Sequence, residues 1–103
     1  MANSGGKLVR SKALDDRIGC AILLDLLQKD VPYDFTAAFH VQEEIGLRGA
    51  KAAAYTINPD FALILETTTA ADFSSAQGDA KVCQLGKGPV VSFMDRSTLY
   101  DRE

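Results

Sequence analysis

Apolar residues recur along this chain in two different rhythms. From Asp15 onward, Ile18, Ile22 and Leu26, joined by Leu23 and Leu27, fall three or four residues apart, the spacing that lines one side of an α-helix. Asp25, Gln28, Lys29 and Asp30 supply the polar side. Asp15 and Asp16 set negative charge at the positive end of the helix dipole, and Pro32 closes the element. Tyr33–Val41 and Phe61–Leu65 are nearly continuous apolar runs without strict alternation, the pattern of strands covered on both faces. Between them, the alanine-rich run Ala50–Ile57 predicts a second helix, stopped at Asn58–Pro59. Lys7–Ser11, Val82–Leu85 and Pro89–Met94 predict further short strands, and Ser97 is placed to cap a last helix that runs on to Glu103.

Helix, strand, helix, strand is the order of a sheet whose parallel strands are joined by crossover helices. The expected fold class is therefore α/β, a three-layer sandwich with a mainly parallel sheet and helices on both faces. Ligands of such sheets bind beyond the carboxyl ends of the strands. The loop Gln42–Gly49, with two glycines and three charged residues, follows one predicted strand, and Glu66 ends the other. Glu43, Glu44 and Glu66 are thus expected on one edge. The small and polar residues 67–78 predict a loop, in which Asp72 is read as bonding its own turn.

Composition narrows the function. A chain of 103 residues, 47% hydrophobic and 24% charged, suits one domain over 1–103. A net charge of −3 and 11 scattered basic residues offer nothing to a phosphate backbone, so nucleic acid is not an expected partner. The longest apolar run, Cys20–Leu24, falls far short of the roughly 20 residues a membrane helix needs. Residues 1–7 lack the apolar core of a secretory signal, and a cytoplasmic protein is expected. Cys20 and Cys83 make neither a disulfide framework nor a CxxC pair, and both are read as packed thiols.

Four carboxylates, Asp15, Glu43, Glu44 and Glu66, at one sheet edge repel one another unless cations neutralise them or water screens them. Both resolutions are open to the residues alone: a divalent-metal site or a solvated acidic surface.

Three stretches sharpen the reading. Lys12-Ala13-Leu14-Asp15-Asp16-Arg17-Ile18-Gly19, then Gln42-Glu43-Glu44-Ile45-Gly46-Leu47-Arg48-Gly49-Ala50, then Leu65-Glu66-Thr67-Thr68-Thr69-Ala70-Ala71-Asp72 resemble, in order and spacing, successive motifs of the metallo-aminopeptidases that assemble as tetrahedral dodecamers. Leu85-Gly86-Lys87-Gly88 and Met94-Asp95-Arg96-Ser97 extend the likeness over about residues 7–103. The resemblance implies a cytoplasmic enzyme, an oligomer built of dimers, that removes the amino-terminal residue of a peptide with two divalent ions, zinc or cobalt.

It further implies that Asp15 bridges both metals, followed by a cis peptide bond to Asp16. Glu44 and Glu66 would each be a metal ligand, Glu66 standing where many relatives have aspartate. Glu43 would be the general base. Glu43 and Glu44 can serve one site only if the strand has already ended at Gln42, because neighbours on a regular strand point to opposite faces.

The family's two histidine ligands, one before the Asp15 motif and one after Met94–Ser97, have no counterpart. The sole histidine, His40, occupies neither position and is read as structural. The family's dimerisation domain has no counterpart either. The expectation is a partial catalytic domain that binds metal weakly and is inactive alone. Two alternatives stand beside it. One is a glycoside hydrolase using Glu43 and Glu66, suggested by the endoglucanase label some relatives carry. The other is a non-catalytic assembly module pairing through sheet edges. Arg48 and Arg96 are read as solvated or structural.

Overall fold

A computed structural model describes residues 2–3, 8–72 and 78–101. The chain divides into two units, Met1–Thr67 and Thr68–Glu103. In the first, β1 (Ala2–Asn3) pairs antiparallel with β2 (Val9–Arg10), Ala2 opposite Arg10 and Asn3 opposite Val9. The strand expected over Lys7–Ser11 contracts to these two residues, Lys7 itself lying outside the described residues.

Helix α1 spans Leu14–Leu27, and the peptide bond between Asp15 and Asp16 is cis, as the resemblance implied. Neither aspartate has helical dihedrals, so the regular helix begins after Asp16. Asp16 then caps it. Its Oδ1 accepts the Gly19 amide at 2.9 Å, satisfying one of the donors that a helix start leaves unpaired. Only glycine suits position 19, where a Cβ would run into the Asp16 carboxylate, and Gly19 is the one buried residue of α1.

The inward stripe of α1 continues through the half-buried Leu23 and Leu26, while Ile18 and Ile22 are each 44% exposed. Spacing alone had joined Ile18 and Ile22 to that stripe. Both sets satisfy helical periodicity, and the choice between them is made by what the helix packs on. α1 ends with a turn in which the Gln28 and Lys29 amides reach the Asp25 and Leu26 carbonyls, and Lys29 pairs with Asp25 one turn back. The helix thus stops before Pro32 is reached.

α2 spans Arg48–Ile57, beginning two residues before the alanine-rich run and ending at Asn58 in left-handed geometry just ahead of Pro59. Among the described residues β1 and β2 are the only paired strands. Tyr33–Val41 and Phe61–Leu65 carry no ladder, because a strand is completed only by the backbone groups of a neighbour.

The second unit is tied by the Ala70 carbonyl, which accepts the Val82 and Cys83 amides at 3.0 and 3.1 Å. Asp72 does not bond its own turn as expected. It takes Lys81 Nζ at 2.8 Å, and this ammonium holds its carboxyl below the usual range. A full charge offers Asp72 a stronger donor than a loop amide does.

The helix expected after Ser97 is absent from the described residues, Glu103 lying beyond them. Asp95 Oδ1 accepts the Ser97 and Thr98 amides at 2.6 and 2.7 Å, and its Oδ2 accepts Tyr100 Oη at 2.7 Å. The chain reverses there, with the Tyr100 amide on the Phe93 carbonyl at 2.9 Å and Met94 bridging Leu99 antiparallel. An aspartate that satisfies two amides just ahead of it makes a turn, and the polar pattern of a turn and of a helix start are alike. No described helix is long and apolar enough to cross a membrane.

Candidate active site

The loop between the first apolar run and α2 is the best-tied irregular segment of the first unit. Gln42 adopts φ 61°, in the left-handed region, so any regular extended backbone ends there. This is the condition under which Glu43 and Glu44 can serve one site. The loop closes on itself through three consecutive carbonyls. Val41 accepts the Gly49 amide at 3.1 Å, Gln42 the Arg48 amide at 3.3 Å, and Glu43 the Gly46 and Leu47 amides at 3.0 Å each. Glycine at 49 permits the first of these, because a Cβ there would sit 2.5 Å from the Val41 carbonyl oxygen and 2.8 Å from its nitrogen. The backbone of Glu43 is therefore anchored from both sides.

A cavity of about 350 Å³ opens within this unit, and three acidic side chains from three segments line it: Asp16 at the start of α1, Glu43 in the closed loop, and Glu66 after the second apolar run. Asp15 and Asp16 act electrostatically on Glu66. Desolvation raises its pKa above the ordinary carboxylate value, and the charges of Asp16 and Asp15, with a carboxyl contact to Asp15, raise it further. The Thr67 amide, donating to Glu66 Oε1 at 2.9 Å, works in the opposite direction. Like charges brought together in this way favour a proton or a cation on the pair.

The structure thus brings Glu43 and Glu66 of the expected set to one cavity and adds Asp16, which sequence reasoning had assigned only to the helix start; Asp15 acts on Glu66 without lining the cavity. Glu44 is exposed and does not line the cavity. Cys20 and His40 line it too and both are exposed, so Cys20 is not the packed thiol expected, while Cys83 is half-buried. Cys20 follows Asp16 by one helical turn, a same-face spacing that the sequence contains. His40 carries no comparable signal.

As a test of metal chemistry, adjacent carboxylates are donors of the kind divalent ions take. Among the described residues, however, no three His, Cys, Asp or Glu side chains are grouped to hold one.

Comparison with known proteins bears on the same residues. A model of the M42 glutamyl aminopeptidase family matches residues 1–103. The chain is 40% identical over 100 residues to a putative aminopeptidase of Acetivibrio thermocellus, covering 95% of this chain and 30% of that protein. It is 38% identical over 94 residues to the putative aminopeptidase FrvX of Escherichia coli, covering 89% and 26%. It is 37% identical over 98 residues to the glutamyl aminopeptidase of Lactococcus lactis, covering 90% and 26%. The chain therefore spans 30% or less of these three relatives. No solved structure matches it significantly.

Proposed function

The chain belongs to the M42 glutamyl aminopeptidase family, and from that premise we propose that it forms part of the catalytic domain of an enzyme that hydrolyses the amino-terminal residue from peptides. The observation that supports this reading is the convergence of Asp16, Glu43 and Glu66 on one cavity. By the resemblance, Asp15, Glu44 and Glu66 would hold two divalent ions, zinc or cobalt, and Glu44, which stands outside the cavity here, would have to turn toward it to take part. Such ions, when bound, polarise a carbonyl and acidify a water.

The rest of the chemistry falls to the chain. Glu43 takes the proton of the attacking water on its carboxylate and returns it to the leaving amine. The amides of Gly46 and Leu47, bonded to the Glu43 backbone carbonyl, fix the stretch of chain from which that carboxylate extends. The parent fold is a three-layer α/β sandwich in which Tyr33–Val41 and Phe61–Leu65 are neighbours in a mainly parallel sheet. A cytoplasmic location and assembly into a dodecamer of dimers extend the same reading.

Hydrolysis of aminoacyl nitroanilides by the 103-residue chain and by a polypeptide of the relatives' full length, each with added zinc or cobalt, tests it. The longer polypeptide is expected to turn over substrate, with loss on chelation and a fall of about 100-fold or more for Glu43→Gln. The chain alone is expected to be inactive. Turnover that survives both chelation and Glu43→Gln would refute the assignment.

A further inference from the structure

The carboxylate of Asp16 is seated rather than free. Its Oδ1 accepts the Gly19 amide at 2.9 Å across the first turn of α1, and the space it fills exists because residue 19 has no side chain. A Cβ on Gly19 would lie 2.8 Å from the Asp16 carboxyl carbon and 2.9 Å from Oδ1, and closer still to Oδ2, where 3.4 Å or more is ordinary. Glycine is a poor helix former and Gly19 is the one buried residue of α1, so the helix forgoes a stabilising side chain at the position where the carboxylate rests. Asp15 precedes this latch by one peptide unit. Neither aspartate has helical dihedrals, so the regular helix does not itself fix the direction of Asp15; the fixed point beside it is Asp16.

We propose that Asp16 is a positioning residue: seated on Gly19, it sets the direction of the adjacent Asp15 carboxylate, and it does so through its oxygen acceptor rather than its charge. The inference rests on the aminopeptidase reading, in which Asp15 is a metal ligand. Partners that orient a ligand carry about 10- to 100-fold in metal affinity or activity.

The test uses the enzyme of the relatives' full length and reads two quantities, the zinc dissociation constant by competition with a chelator and kcat/KM of the zinc-loaded enzyme on an aminoacyl nitroanilide. Asp16→Ala is expected to weaken zinc binding and lower kcat/KM by about tenfold or more. Asp16→Asn keeps an oxygen for the Gly19 amide and is expected to stay within about threefold of the parent. Gly19→Ala keeps the charge of Asp16 but evicts its carboxylate, and is expected to lose as much as Asp16→Ala. Added to Asp16→Ala it should cost little more, because the space is then vacant. Zinc affinity at the parent value in folded Asp16→Ala, with only thermal stability lowered, marks a helix cap without a positioning role and overturns the inference. Equal losses in Asp16→Asn and Asp16→Ala overturn it too, since charge then carries the effect. Circular dichroism identifies a variant that fails to fold; if Asp16→Ala does, Gly19→Ala against Asp16→Asn decides. Asp15→Asn separates the two levels. If it leaves zinc affinity and turnover unchanged, the reading beneath falls with the inference, whereas a loss there with none in Asp16→Ala or Gly19→Ala removes the inference alone.

Discussion

Replacing Gly49 by alanine should destabilise the loop that carries Glu43, although helix propensity alone argues the reverse. Gly49 is the second residue of α2, and alanine there should gain up to about 1 kcal/mol of helix preference. Against this, the new methyl would lie 2.5 Å from the Val41 carbonyl oxygen and 2.8 Å from its nitrogen, where contact at 3.4 Å or more is ordinary. Both atoms are backbone, so relief requires the loop and helix to part by nearly the difference. That movement breaks the 3.1 Å bond from the Gly49 amide to Val41 and strains the 3.3 Å bond from Arg48 to Gln42.

A lost backbone hydrogen bond costs about 1 kcal/mol and overpacking about 1 to 3 kcal/mol. The net expectation is a loss of about 1 to 3 kcal/mol, with faster amide exchange at Gly46 and Leu47. Urea denaturation and hydrogen exchange, compared between parent and Gly49→Ala, measure both. Unchanged or increased stability with protected Gly46 and Leu47 amides would show that this close approach does not hold the loop.

Removal of the α1 cap by Asp16→Ala should cost about 1 kcal/mol, whereas Asp16→Asn, whose amide oxygen can still accept the Gly19 amide, should cost a few tenths, both read by chemical denaturation. Asp95 should titrate at about 2 by carboxyl NMR, and Tyr100→Phe should move it toward the ordinary value by removing the phenol donor, the largest cause of the shift. Because the folded pKa lies below the unfolded one, the support Asp95 lends its turn is complete above about pH 4 and disappears as pH falls through about 2. In Tyr100→Phe the loss should begin at higher pH, seen in the Ser97 and Thr98 amide shifts. Zinc titration followed by calorimetry should show weak binding to the 103-residue chain, weakened about tenfold or more by Asp15→Asn. Nanomolar affinity in the parent chain would overturn the expectation that donors are missing.

Both helices were legible in the sequence because their signals are local. Asp15 and Asp16 before an apolar period, and Asn58–Pro59 after an alanine run, decide boundaries within one or two turns. Ser97 misled because the same short polar residues start a helix or close a turn. The outcome there depended on Asp95 and Tyr100 meeting across five residues, a pairing that a search for helix caps does not weigh. The inward stripe of α1 was missed at Ile18 and Ile22 because a helix that is apolar on two sides does not announce which one it covers.

By itself the sequence determined the family, the two helices, and the order in which the acidic motifs follow one another, since all of these are properties of spacing along the chain. The tertiary structure decided which carboxylates meet. Asp16 and Glu66 are fifty positions apart in sequence and line one cavity with Glu43, while Glu44, adjacent to Glu43, does not. The reason is geometric: a left-handed turn at Gln42 and a helix cap at Asp16 set side-chain directions, and proximity in space follows from those directions rather than from sequence distance.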